Sequence, residues 1–331
     1  MIAMASLSPD RSKARAKLLR MIAGRIGVAV LTLLLVSLIV FTISALLPGD
    51  AAQEALGQSA TPAQVEALRH EMGLDRPAYV RFGTWLAALA GGDAGTSLVG
   101  NMPVADLIGE RLPNSLLLAA LTTLVAVPLA LTIGIACAVN RGGRLDRALN
   151  LATLGMVALP EFLVATLAVL VFSVKLRWLP SIALLPKDAG WGEILLNLAM
   201  PIGSLCVVVV AQMARMTRAA VIDQLDRPYV EMALLKGVKP SRIVIGHVLP
   251  NAIGPIVNAC ALSLSYLLGG AIIVETIFNY PGLASLMVNA VTSRDMPLLQ
   301  ACAMIFCTVY LLLMLIADVT AILANPRLRN A

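Results

Sequence analysis

Glu161 is the residue that first asks for a chemical reading. It follows Pro160 about halfway along an otherwise uncharged apolar run, 148–174. An unpaired carboxylate at bilayer depth costs at least ~2.5 kcal/mol. Its presence points either to a pathway wall that favours cationic or amine-bearing solutes, or to a carboxyl held neutral or paired with another run. Gln212 and Asn258 are polar groups in similarly apolar surroundings. Such amides line a pathway or make interhelical hydrogen bonds. Glu275 stands at the end of another apolar run, in "IVETIF", either at the outer mouth of a pathway or at the interface. Asp318, late in the last run, is expected to snorkel or pair near the surface.

Bond-making chemistry has little to work with. The five cysteines, Cys137, Cys206, Cys260, Cys302 and Cys307, all lie in apolar runs without C-x-x-C spacing. His70 and His247 are far apart in the chain, so no metal site is read. No G-x-x-x-x-G-K-[ST] loop cradles a nucleotide phosphate, and no H-E-x-x-H is present. No catalytic and no metal-ligating residues are expected.

The elements that carry these groups follow from composition. The 331 residues are 59% hydrophobic and only 13% charged, against about 25% charged in soluble domains. This is the composition of an all-α integral membrane protein. Runs long enough for a ~30 Å hydrocarbon core cover 26–47, 112–140, 148–174, 194–213, 251–274 and 296–323. They predict six transmembrane helices. A basic leader occupies 1–25, and the first run, longer than a signal-peptide core, reads as a retained anchor. The segment 48–111 is a long acidic loop, partly helical, with Thr61 and Pro62 as N-cap and first helical residue and Val65, Leu68, Met72 and Leu74 as a weak apolar stripe.

Most of the 25 Lys and Arg lie in the leader, in "NRGGRLDR", in 214–250 and in the tail 324–331. The positive-inside rule puts those segments, and both termini, in the cytoplasm. The net charge of +6 is thereby explained by topology, without nucleic acid as a partner.

The most polar of these segments is "EMALLKGVKPSRIVIGHVLPNAI", 231–253. Tyr229 to Lys236 predicts a short helix, with Gly237 as its left-handed cap and Val238 as the following apolar contact. Pro240 and Ser241 start a second short helix that Pro250 ends at the membrane surface. Ala233 is small enough to admit a partner. Taken alone, the pair also fits an interfacial element resting on anionic headgroups of membrane lipid.

Glu231-Met232-Ala233, Gly237 and "HVLPNAI" resemble the E-A-A---G motif of permease subunits of ATP-binding cassette (ABC) importers. "MTRAAVIDQLDRPYVEMALLKG", "LLPGD", "GDAGTSL", "IVETIFNYPGLASLMVNAVTSRDMPLLQ" and "NPRLR" are similar to the dipeptide, oligopeptide and nickel permease family. The resemblance covers nearly the whole chain. It implies the ABC type I importer permease fold, with a core near 112–323, in the bacterial inner membrane. It implies an ATPase-coupling role for Tyr229, Glu231, Ala233, Gly237 and Pro250. It also implies a second homologous permease, one or two ABC ATPase subunits that carry ATP and Mg, and an external solute-binding protein. Met232 departs from the usual alanine, and Glu161 from the usual small polar residue. The competing expectation is an ion-gradient-driven secondary transporter or channel subunit, which would favour several intramembrane charges or inverted repeats. A membrane enzyme would need the catalytic clusters missing above.

Overall fold

The computed structural model describes residues 11–46, 51–56, 60–71, 73, 75–186 and 189–324. The start of the leader, Pro48, Met72, Leu74, and Arg327 and Arg329 of the tail lie outside the described residues. The chain folds into α1 (Arg11–Leu46), α2 (Ala51–Leu56), α3 (Pro62–Glu71), α4 (Ala78–Ala90) and α5 (Val104–Val139). These are followed by α6 (Arg144–Ala158), α7 (Glu161–Ala168), α8 (Trp191–Leu225), α9 (Pro228–Leu235) and α10 (Pro240–Ile243). The last three are α11 (Leu249–Ile277), α12 (Leu283–Thr292) and α13 (Met296–Ala324).

Five of the helices described are long and apolar enough to cross a membrane; a bent pair makes six if counted as one span. That pair corrects the expectation of one straight run over 148–174. α6 and the α7 segment meet at 97°. Pro160 bars the helical conformation for Leu159, whose ψ of 127° is extended. Two other boundaries differ. α5 begins at Val104, ahead of 112, so the loop after the first helix is shorter than expected. α8 continues to Leu225, well past 213, so Arg215 and Arg218 are helical.

α8 is the axis of the bundle. Of its most apolar stretch 56% is buried, against 11% for α1 and 17% for α13. α5 comes closest to it at Gly134. A Cβ built there would lie 2.6 Å from the Ala214 carbonyl oxygen and 2.7 Å from Thr217 Cβ. Small residues at such crossings let helix backbones approach. Gly134→Val is expected to cost about 1–3 kcal/mol by overpacking, read as a lower thermal midpoint of the detergent-solubilised chain.

The apolar interior has three parts. The central one joins Leu118 of α5, Leu205 and Met213 of α8 and Leu267 of α11. A second, at one end, joins Val104 and Ile108 to Leu283 and Leu298. The third, at the opposite end, joins Ala138, Val221, Val230, Ile243, Val248 and Ala252. Between α1 and α5, α3 opens with a capping box: Thr61 N–H donates to Gln64 Oε1 at 2.9 Å, and Gln64 N–H to Thr61 Oγ1 at 3.4 Å. α4 leans on α1 through Phe41 against Phe82 and Trp85, ring centroids 5.4 and 6.0 Å apart. Asp318 pairs with Arg25 at 2.8 Å, as a late intramembrane acid should.

Candidate coupling surface and translocation face

The sequence from Asp226 to Pro228 turns the chain out of α8 and straight into α9. Asp226 caps α8, Arg227 is extended with ψ 145°, and Pro228 starts α9 where its missing N–H is harmless. The Tyr229 hydroxyl donates to Gln224 Oε1 at 3.1 Å and closes the corner. α9 ends in a Schellman motif. Gly237 N–H donates to the Leu234 carbonyl at 2.9 Å and Val238 N–H to the Ala233 carbonyl at 3.1 Å. Gly237 has φ +76°, and a Cβ built on it would meet nothing within 4 Å. Backbone conformation, rather than space, calls for glycine here.

The two faces of α9 are unlike. Val230 is buried in the third apolar part, and Ala233 and Val238 pack beside it. Ala233, expected to admit a partner, is half-buried at the edge of this packing. The outward face carries Met232 (54% exposed), Leu234 (51%) and Leu235 (77%), with Glu231 exposed among them. These side chains leave an apolar cluster open on a short ordered helix.

Pro250 does not end a helix. α10 runs through a wide five-residue turn, Val244–Val248, directly into α11, whose first turn contains Pro250. The wide turn relieves the clash between the proline ring and the carbonyl four residues back. Asn251 Nδ2 donates to the His247 carbonyl at 2.7 Å and satisfies another group near the break. The α10 segment is thus continuous with a helix long and apolar enough to cross a membrane.

The polar residues singled out within the apolar runs fall into three places. Gln212 is half-buried on an incompletely covered stripe of α8, which continues through Arg215, Ala219 and Asp223. Asn258 is exposed on a stripe of α11 with Asn251, Pro255, Tyr266 and Gly269. The Met213 and Cys260 sulfurs lie 3.5 Å apart, so Gln212 and Asn258 sit at the same depth on neighbouring helices.

Glu161 is elsewhere. Instead of lying mid-helix, it begins α7, where the helix N-terminus favours an acid. Its carboxylate rests on the α11 backbone; a Cβ built on Gly270 would lie 2.8 Å from Glu161 Oε2. Gly270 is twelve residues beyond Asn258, about 18 Å along the helix.

Glu275 is sealed. It is 0% exposed, and the Ser115 hydroxyl donates to its Oε1 at 2.6 Å while Ser285 N–H donates to its Oε2 at 2.9 Å. Ser115 Oγ in turn accepts from Leu283 N–H at 2.7 Å. A Cβ on Gly282 would lie 2.3 Å from the carboxylate carbon and both oxygens. Nearby, the Tyr280 hydroxyl donates to the Asn114 carbonyl at 2.7 Å. Burial, and then the Glu275 charge, push that phenol up, keeping it a neutral donor. Glu275 therefore stitches α5, α11 and α12 together and lines no open mouth in this structure. Ser115 and Gly282 were not singled out from sequence: Ser115 lies 160 residues from Glu275, and Gly282, though close to it in the chain, meets it only because the chain turns back between α11 and α12.

The structure is a bundle of long apolar helices with a short helix pair, α9 and α10, between two of its spans. The chain belongs to the family of binding-protein-dependent transport system inner membrane components, matching it over residues 130–330 and its N-terminal region over 18–119. It is 34% identical over 313 residues to a putative peptide transport system permease protein of Brucella abortus (strain 2308), covering 93% of this chain and 98% of the relative. It is 38% identical over 299 residues to the glutathione transport system permease protein of Pectobacterium atrosepticum, covering 90% of this chain and 95% of that one. The fold is similar to a chain of the MetNI methionine ABC transporter, with TM-score 0.56, 17% identity, and coverage of 66% of this chain and 96% of that chain. The protein is a membrane permease subunit of a binding-protein-dependent ABC importer, which sets aside the ion-gradient-driven alternative.

Proposed function

We propose that this permease forms half of a pathway for short peptides or a closely related solute and takes its drive from a separate ATPase docked on α9. The observation that carries the coupling is the outward apolar face of Met232, Leu234 and Leu235 on a helix whose other face is locked into the bundle. Peptide and glutathione permeases among the relatives support the solute class, since glutathione is itself a short peptide. The other half of the pathway is a second homologous permease. One or two ABC ATPase subunits hold ATP and Mg, and an external binding protein delivers the solute. Basic Arg141, Arg144, Arg215, Lys236, Lys239 and Arg242 gather at the α9 end, which orients that end, and both termini, toward the cytoplasm of a bacterial inner membrane. The α2–α4 segment then faces outward.

Gln212 and Asn258, at one depth on open stripes of α8 and α11, form the polar wall of the pathway. Glu161 adds a carboxylate nearer the outer end. Co-purification of the chain with its partners, followed by ATP-driven uptake of short peptides in vesicles, tests the assignment; uptake that needs an ion gradient and no ATP would overturn it. In the same vesicles Glu161→Gln is expected to weaken uptake of cationic peptides about tenfold, ~1.4 kcal/mol, and to spare neutral ones. Equal loss for both would remove Glu161 from solute selection.

A further inference from the structure

α6 is tied to the base of α8 by a fork of charged hydrogen bonds. Arg218 Nε donates to Asp146 Oδ1 at 2.7 Å and Arg218 Nη2 to Asp146 Oδ2 at 2.8 Å. Gly142 N–H donates to the same Oδ2 at 2.9 Å. Asp146 is only 4% exposed, while 27% of the Arg218 side chain stays open to solvent, so the carboxylate is the buried partner of the pair. Bidentate guanidinium–carboxylate contacts fix orientation as well as distance. A second, exposed pair lies beside it: Arg141 Nη1 donates to both Asp226 oxygens at 2.9 Å. Asp226 is the residue that caps α8 just before α9. The α5–α6 turn is therefore fastened at two points to the helix that leads into the docking surface.

The other end of α6 is the 97° bend at Leu159–Pro160, directly before Glu161. α6 has 15 residues, about 22 Å of helix, with a fixed clamp at one end and the bend at the other. A rigid rod with that arrangement transmits displacement.

Resting on the coupling reading of α9 above, we infer that Asp146 and Arg218 are positioning residues that make α6 a second output arm. It carries movement of the α8–α9 corner to the Leu159–Pro160 bend and so to the Glu161 carboxylate against Gly270. Neither residue touches solute or nucleotide. Their loss breaks the link between ATP hydrolysis and movement of the pathway wall, rather than either activity alone.

The test uses the complete transporter in vesicles, with its partner permease, ATPases and binding protein. Solute uptake and binding-protein-stimulated ATP hydrolysis are measured together, first for the unaltered protein. ATP-driven uptake there upholds the coupling reading; its absence would sink that reading before the arm is in question. The informative variant is Asp146→Asn/Arg218→Gln, which removes both charges and leaves no lone buried ion to prevent folding. The expected result is normal assembly, retained stimulated hydrolysis, and about a tenfold fall in solute moved per ATP, within the range usual for coupling between sites. An unchanged ratio, or uptake and hydrolysis falling in proportion, would overturn the inference and leave the fork a packing feature.

Discussion

Glu275→Ala is expected to destabilise the detergent-solubilised chain by about 2–6 kcal/mol, because two donors lose their acceptor at ~1–3 kcal/mol each, the first being the Ser285 N–H. The Ser115 hydroxyl is orphaned as well. No water can replace the carboxylate freely at a fully buried position. Glu275→Gln is expected to cost less than Glu275→Ala, since its amide oxygen can still accept from Ser285 N–H and its nitrogen can face the Ser115 hydroxyl, which is able to accept. Gly282→Ala should resemble Glu275→Ala, because the carboxylate occupies the space of the added methyl group. Thermal unfolding of the solubilised protein measures all three. A Glu275→Ala protein of native stability with altered solute choice would return this residue to the pathway wall and overturn the structural reading.

The contrast between Glu161 and Glu275 shows what could be read from sequence. Both announce themselves as acids in apolar runs, and hydropathy cannot separate them. What separates them is partners: Ser115 lies 160 residues from Glu275, whereas Glu161 meets a glycine backbone on α11. Local chemistry was legible wherever it depended on neighbours in the chain. Gly237 has the left-handed φ expected of a cap, Thr61 and Pro62 open α3, and the apolar runs are helices. Direction was not legible. Pro160 was visible, yet a run of apolar residues looks alike whether it continues straight or turns by 97°. Pro250 misled in the opposite sense, since the wide turn before it let the helix continue. The Asp146–Arg218 fork spans 72 residues. Its one sequence sign was a lone acid in the basic turn "NRGGRLDR".

Leu235→Asp is expected to weaken ATPase capture at least about thirtyfold while leaving the permease folded, and it separates two accounts of the proposed coupling surface. Leu235 is 77% exposed, so the isolated chain gains or loses little when it changes. In a docked complex the same side chain would be buried, worth about 1.5–3 kcal/mol in lost apolar contact, and a carboxylate in its place must also be desolvated. A loss of at least ~2 kcal/mol, the scale of an interface hot spot, weakens capture by roughly thirtyfold. Gly237→Ala acts differently. It meets no atoms but forces an L-residue into the left-handed region, at about 1–2 kcal/mol, and loosens the turn that aims α9. If contact area dominates docking, Leu235→Asp is the more damaging change in a pull-down with the ATPase. If Gly237→Ala proves worse, the Schellman turn holds α9 in a pose that docking needs, and the apolar face follows from that pose.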